Sequence, residues 1–271
     1  MFKDNKKFLT LNVSKILRQI ILSAEESSLN SSKKSLYLKL LEVFCKFEDK
    51  LVRPNQQEIV INFTRDISKN NLIYLFSNEG LPHLTKIVQA CLPEKDLFEG
   101  TAEHARMSME VFNVMVCLNL MSVCCEGKSD LAEQKCQNDI VNLQTALVLY
   151  KESGILWPFK CVILNYVRHC YIDSASTKLF AKVNGADNQN VECLKKILDL
   201  LKNDLIQIVE EWHKLESDFK MLMPDGSTTS FLKESKILGL ESVPHFFKSL
   251  LRNKKIELGL DVFPTYHVIT S

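Results

Sequence analysis

Five side chains carry the strongest donor chemistry in this chain: Cys124, Cys125, Cys136, His169 and Cys170. Thiolates and imidazoles bind soft metal ions, and a thiolate is also a nucleophile and a redox centre. Their spacing speaks against zinc. A CxxC knuckle lets two sulfurs reach one ion, whereas adjacent cysteines such as Cys124-Cys125 rarely ligate one ion together. The five are therefore read as packed groups, with no metal ligand assigned. Cys124-Cys125 falls at a helix end beside Lys128, where positive charge favours a thiolate, so a redox-sensitive thiol is the competing reading. His169 stands between Arg168 and Cys170 late in a helix. A protonated imidazole suits a helix C-terminus, and Asp173, four residues on, is within reach of an ion pair. Helix neighbours diverge by about 100°, which argues against a Cys–His dyad from His169 and Cys170.

Other chemistry is thinner. Glu58, Asp66, Glu133 and Glu210-Glu211 lack the DxDxDG clustering of a calcium loop. There is no GxxxxGK[ST] or GxGxxG phosphate loop and no GxSxG elbow. The expectation is a chain that is not an enzyme, with no catalytic, cofactor-binding or metal residue and no cofactor. Basic pairs at Lys6-Lys7, Lys33-Lys34, Lys195-Lys196 and Lys254-Lys255 are interspersed with acids and read as solvated helix faces. Lys+Arg 34 against Asp+Glu 33 gives net charge +1, so no bias toward nucleic acid or an anionic membrane follows. The nine cysteines are odd in number, and several, such as Cys117, Cys161 and Cys170, sit inside apolar helical patterns. That is the usage of reduced, buried thiols rather than a secreted disulfide framework.

The elements that must position these groups are helices. Hydrophobic residues make up 46% of the chain, enough for a sizeable core, and 8 Gly with 7 Pro are few for a loop-rich or all-β fold. Val13, Ile16, Leu17, Ile20 and Ile21 predict a helix over 11–25. A second, over 33–47, is expected to bury Leu36, Leu40, Val43 and Phe44. Asn55-Gln56-Gln57-Glu58 has capping-box spacing for a third, running through Ile67. Short helices are expected at 71–76 and from Leu81-Pro82 to about Cys91, then a linker over 94–100 and an apolar helix over 102–125. Its window Met107 to Cys125, about 19 residues, is just long enough to span a bilayer. Without flanking anchors or a second apolar window it is read as a buried helix of a soluble chain. The N-terminus, MFKDNKKFLTLN, lacks the apolar core of a secretory signal.

Asp130-Leu131-Ala132-Glu133 has capping-box spacing after the 126–129 turn. Ile140, Leu143, Leu147 and Tyr150 keep helical spacing until Ser153-Gly154. Trp157-Pro158 opens a helix with Val162, Ile163, Tyr166, Val167 and Cys170 on nearly one face. The polar gap Asn184–Gln189 closes a first region, 1–184. From Val191 through Leu194, Leu198, Leu201, Leu205, Ile208, Trp212, Leu215 and Phe219 to Leu222, apolar residues recur every three or four positions. That predicts one helix roughly 48 Å long. It is read as packing on neighbouring helices, because Trp212 and Phe219 are atypical at the core positions of a regular dimer; a coiled-coil seam is the other reading. Short helices at Phe231–Leu238 and Ser242–Asn253 complete a region 190–253, and 254–271 is a tail without helical period.

Two strings carry a family likeness. One is Glu126-Gly127-Lys128 followed by Glu133, Lys135 and Cys136. The other is Asn165-Tyr166-Val167-Arg168-His169-Cys170-Tyr171-Ile172-Asp173-Ser174. In that order and separation they resemble the armadillo-like homology domain of inositol 1,4,5-trisphosphate and ryanodine receptors, closer to the former. Leu41 to Ile59 is similar, more loosely, to a helix–loop–helix of both receptor families. The resemblance implies an all-α, armadillo/HEAT-like helical solenoid of roughly ten helices, which the short loops and scarce strand signals also favour. It further implies a cytoplasmic regulatory segment of an inositol trisphosphate receptor-like calcium-release channel, on the cytosolic face of the endoplasmic reticulum. Such a segment couples ligand binding to the pore and lacks both. Its expected partners are other domains or subunits of the channel. Nucleic acid, a membrane span and strong inositol trisphosphate binding by this chain alone are not expected. The alternative is a standalone helical-repeat interaction scaffold.

Overall fold

The computed structural model describes residues 13–47, 50–65, 71–91, 102–154, 156–174 and 186–222, the last with side chains over 189–207. These residues form an all-α structure. In chain order they give α1 (Val13–Glu26), α2 (Ser32–Cys45), α3 (Arg53–Phe63), α4 (Asn71–Tyr74), α5 (Leu81–Ala90), α6 (Ala102–Cys125) and α7 (Asp130–Lys135). Next come a π-helical turn π1 (Cys136–Ile140), α8 (Leu143–Glu152), α9 (Trp157–Val167), a second π turn π2 (Arg168–Ile172) and α10 (Ala186–Leu222). The strands described are β1 (Lys46–Phe47) and β2 (Lys50–Leu51), a two-residue antiparallel ladder pairing Lys46 with Leu51 and Phe47 with Lys50. The chain divides into two compact units, Met1–Thr177 and Lys178–Ser271.

The first unit is organised on α6. Helices α2, α3, α4, α5, α7 and α9 and the turn π2 all pack against it, while α1 packs on α2 and α3, and α8 on α5 and α9. Val114, Cys117, Leu118, Leu120, Met121, Cys124 and Cys125 of α6 are buried in this shell. Among the described residues, Arg106–Cys125 is the one helical stretch long and apolar enough to cross a membrane, and 72% of its most apolar window is covered by the rest of the fold. In α1, Leu17, Ile21 and Ala24 are buried in the expected 3–4 spacing.

The second helix turns out differently from its sequence reading. Leu36 is 64% and Val43 67% exposed, and Leu40 also faces outward. The buried stripe is Lys34, Ser35, Leu38, Leu41 and Cys45. Two apolar rows run along this helix, so periodicity alone leaves its orientation open. Orientation is settled by Lys34, which was expected on a solvated face and is instead completely buried. Its ammonium donates to the Ala24 carbonyl at the end of α1 and to Asn71 Oδ1 at 3.0 Å. Asn113 on α6 donates to the carbonyls of Leu29 (2.7 Å) and Ser31 (3.1 Å) in the loop between α1 and α2.

Several helix ends also differ. Helix α3 starts at Arg53 with Pro54 in its first turn, where a missing N–H costs nothing. Asn55 is thus inside the helix, not its cap, and its side chain donates to the Phe44 carbonyl at 2.9 Å. The helix stops at Phe63, before Ile67. Asp130 is likewise the first residue of α7, following Ser129 at the cap position. Ile140 belongs to π1 rather than α8, which begins after Asn142, whose side chain accepts from the Thr145 N–H at 2.8 Å. Trp157 and Pro158 open α9 as expected, but α9 is buried around most of its surface, with Phe159, Cys161 and Leu164 covered as well as Ile163, Tyr166 and Val167.

In the second unit α10 starts at Ala186, inside the stretch expected to be a loop. Its 37 residues span about 55 Å at 1.5 Å per residue. Over its described side chains, Leu194, Leu198, Leu201 and Leu205 are buried as the stripe predicts, and Cys193 and Ile197 widen it. The side chains of Trp212, Leu215, Phe219 and Leu222 lie outside the described residues, as do the 94–100 linker, the expected helices at Phe231–Leu238 and Ser242–Asn253, and the 254–271 tail.

Candidate functional site

Helix α6 ends at Cys125, and everything distinctive in the first unit gathers at that end. The chain turns through Gly127 and Lys128, both left-handed, with φ of 81° and 64°. A side chain at position 127 would be strained by that φ, and its Cβ would press on Leu51 Cδ1. Gln56, buried on α3, donates to the carbonyls of Val123 (2.8 Å) and Glu126 (3.2 Å) where α6 ends, the former also accepting from the Glu126 N–H at 3.2 Å. Arg53 donates to the Gly127 carbonyl at 3.0 Å, and Lys46 forms an ion pair with Glu126 at 2.6 Å.

From there α7 runs into π1 and, after α8, α9 runs into π2. In a π turn the backbone bond spans five residues. Here the Val141 N–H donates to the Cys136 carbonyl at 3.0 Å, and the Asp173 N–H to that of Arg168 at 2.8 Å. The two turns pack together and satisfy each other's carbonyls. Tyr166 donates to the Cys136 carbonyl at 2.8 Å, with the Val141 carbonyl at 3.1 Å as a second acceptor. Tyr171 donates to the Val141 carbonyl at 2.9 Å, and in the reverse direction Gln137 donates to the Cys170 carbonyl. Ser174 donates to Glu133 Oε2 at 2.5 Å, tying the end of π2 back to α7.

The structure brings together three of the five sequence-flagged groups. Cys125 from α6, Cys136 from π1 and Cys170 from π2 have all their Sγ atoms within 4.8 Å of one another, and all three are buried. Burial pushes the Cys125 and Cys170 thiols well above the ordinary range. At Cys136 burial acts in the same direction, but hydrogen bonds from the Cys125 and Cys170 thiols outweigh it and bring that thiol down to about 6.

Cys124 faces another way, with its Sγ 3.7 Å from that of Cys45 on α2. Burial and the Cys45 contact push its thiol far up, which fits the reading of a packed thiol and goes against the competing one of a thiolate beside Lys128. His169 is not part of the cluster. Burial first, then the neighbouring Arg168 guanidinium, lowers its imidazole to about 4, so it is neutral at neutral pH rather than protonated. Asp173 pairs with Arg168 at 3.3 Å, not with His169. The reason is the π turn: its extra residue moves position 173 from above 169 to above 168.

Glu58, one of the flagged carboxylates, accepts from Ser14 at 2.8 Å and from Arg18 at 3.0 Å, joining α3 to α1. Those bonds, with one from Asn62, hold it below its usual range. Glu133 is buried on α7; Asp66, Glu210 and Glu211 lie where no side chain is described. The sequence reading missed Gln56, Gln137 and Tyr171 as carbonyl partners. One signal pointed to Tyr171, since a buried tyrosine must find an acceptor; nothing local pointed to the two glutamines. No family model, no curated protein and no solved structure matches this chain.

Proposed function

We propose that this chain acts as a regulatory helical segment of an inositol trisphosphate receptor-like calcium-release channel, on the cytosolic face of the endoplasmic reticulum. One observation carries the reading. The three stretches that resemble the receptor families, Leu41–Ile59, Glu126–Cys136 and Asn165–Ser174, are far apart in sequence yet meet around the end of α6. The first supplies Lys46, Arg53 and Gln56, which hold the Glu126-Gly127 turn. The second and third are joined by Tyr166, which donates to the Cys136 carbonyl, and by Ser174, which donates to Glu133. A resemblance confined to strings that build one packed corner is what a shared structural unit produces; chance matches have no reason to adjoin.

In this reading the helices continue an armadillo/HEAT-like solenoid. Packing of sequence neighbours on one another, α1 on α2, α2 on α3 and α8 on α9, is the pattern such stacking needs, although α6 also gathers α2 and α3 from outside its own neighbourhood. The segment passes a conformational signal from ligand-binding domains toward the pore and needs channel subunits or domains as partners. Its Lys and Arg residues are spread among acids, a poor basis for gripping a phosphorylated ligand. Co-expression with full-length channel subunits checks this. The chain is expected to co-purify with them and to alter ligand-evoked calcium release, while the isolated chain gives no heat with inositol trisphosphate in calorimetry. Failure to co-purify, or micromolar binding by the chain alone, would overturn it.

A second reading, a standalone interaction scaffold, draws on the exposed apolar row Leu36, Leu40 and Val43 of α2. It predicts recovery with partners other than channel subunits, and loss of that recovery in Leu36→Asp.

A further inference from the structure

Three separate elements deliver the sulfurs of Cys125, Cys136 and Cys170 to one buried point, within 4.8 Å of one another. Around a metal ion bound by three sulfurs at about 2.3 Å, the sulfurs sit about 4 Å apart. The cluster is within about an ångström of that arrangement, a gap that small side-chain rotations close without moving the backbone. Its surroundings are set by the two π turns, whose mutual bonds through Tyr166, Tyr171 and Gln137 fix the backbones carrying Cys136 and Cys170.

We propose that Cys125, Cys136 and Cys170 form a three-sulfur site for a soft monovalent cation, copper(I). The donor set makes the choice. Calcium and magnesium take oxygen ligands, whereas thiolates select soft ions. Structural zinc takes four ligands, and among the described residues the group contains three, with no fourth Cys, His, Asp or Glu. A water cannot readily supply the fourth position, since Cys136 and Cys170 are 0% and Cys125 1% exposed. Copper(I) is satisfied by three sulfurs and needs no water. On binding, three metal–sulfur bonds form, the displaced thiol protons pass to solvent, and neither copper nor sulfur changes oxidation state. Entry through the closed fold is not required, because an ion captured as the corner folds adds its binding free energy to folding. The site does not depend on the channel reading; it belongs to the packed corner itself.

The test refolds the full reduced chain without oxygen in the presence of copper(I), then challenges it with a coloured copper(I) chelator, with X-ray absorption on the loaded protein. One equivalent is expected to resist the chelator, with three sulfurs at about 2.3 Å. Cys136→Ser and Cys170→Ser should each weaken retention by more than the roughly 10–100-fold lost when a group that merely orients a ligand is removed. Cys91→Ser and Cys193→Ser, outside the cluster, should leave it unchanged. Should the serine variants fail to fold, the unmodified chain decides: a two-sulfur environment overturns the proposal. So does retention untouched by Cys136→Ser but lost in Cys45→Ser, which assigns the ion to the Cys45–Cys124 pair. Binding of zinc in a four-coordinate site with nitrogen or oxygen, or no retention of copper(I), overturns it as well.

Discussion

Two regions of the first unit bury polar groups in opposite ways. Where the π turns meet, the bonds that hold the two backbones together are neutral: tyrosine hydroxyls and an amide donate to backbone carbonyls. Where α2 crosses the end of α1, the buried donor is the Lys34 ammonium, reaching the Ala24 carbonyl and Asn71. Both solve one problem, since a helix end buried under other helices leaves carbonyls that water cannot reach. A neutral donor loses little by leaving water if it gains a bond, whereas a cation loses much more. The tyrosine and amide bonds of the π-turn corner should therefore be insensitive to pH near neutrality, and the Lys34 bonds at the α2 crossing should respond to it.

The largest expected effect is at Tyr166, which combines a buried ring with the hydroxyl that serves Cys136 and Val141. Tyr166→Ala should cost about 3–5 kcal/mol in denaturant unfolding, as large-to-small core changes do. Tyr166→Phe keeps the ring and removes one of two donors from the Cys136 carbonyl, which keeps the Val141 N–H, so about 0.5–1.5 kcal/mol is expected. If Tyr166→Phe proves neutral, the neutral-donor half of the comparison is wrong. The exposed Lys151→Ala, within about 0.5 kcal/mol, sets the baseline.

Next come two leucines one turn-fraction apart on α2. Leu38 is fully buried and Leu40 exposed. Leu38→Ala should cost about 2–5 kcal/mol, and Leu40→Ala about 0.5 kcal/mol or less. The reverse order would restore the sequence reading, in which Leu36, Leu40 and Val43 face the core. That misreading shows where legibility stops. Helices with one apolar stripe, such as α1, were oriented correctly from spacing alone. The long α10 was found too, although its start was placed late because Ala186 to Asn190 carries no apolar residue at helical spacing beyond Ala186 itself. A two-striped helix such as α2 is oriented by what its neighbours need, and the need for a donor at Ala24 has no local signature.

The same limit applied to the cysteines. Their types flagged Cys125, Cys136 and Cys170, but zinc spacing rules presume ligands close in sequence, and these come from three elements. The π turns were equally hidden, since one extra residue per turn leaves no compositional mark. It changed the outcome at Asp173, which an α-helical count pairs with His169 and the structure pairs with Arg168.

The last expected effect is small at pH 7 and grows with pH, and it separates the two regions. Burial lowers the Lys34 ammonium from 10.5 to about 8, against the smaller opposing pulls of Cys117 and Glu25. Between about 8 and 10.5 the unfolded chain then binds more protons at this site than the folded one, so the Lys34 contribution to stability rises with pH. It is complete above the unfolded value and is lost as pH falls through the folded one. Buried thiols act in the other direction: Cys117, pushed up to about 12 by burial, favours unfolding in alkali, and the total profile mixes the two. Subtraction isolates the lysine. Lys34→Met keeps the stem and removes the charge, relieving its desolvation while leaving the Ala24 carbonyl and Asn71 without their donor. These terms oppose, so at pH 7 the net change should be about 1 kcal/mol or less. Unfolding measured from pH 7 to 10.5 should show the wild-type chain gaining on Lys34→Met as pH rises. The same subtraction for Tyr166→Phe should change less between pH 5 and 8, where neither hydroxyl nor carbonyl titrates and only the neighbouring Cys136 thiol does. A flat Lys34 difference would mean that its ammonium reaches water, and the contrast between the two burials would fail.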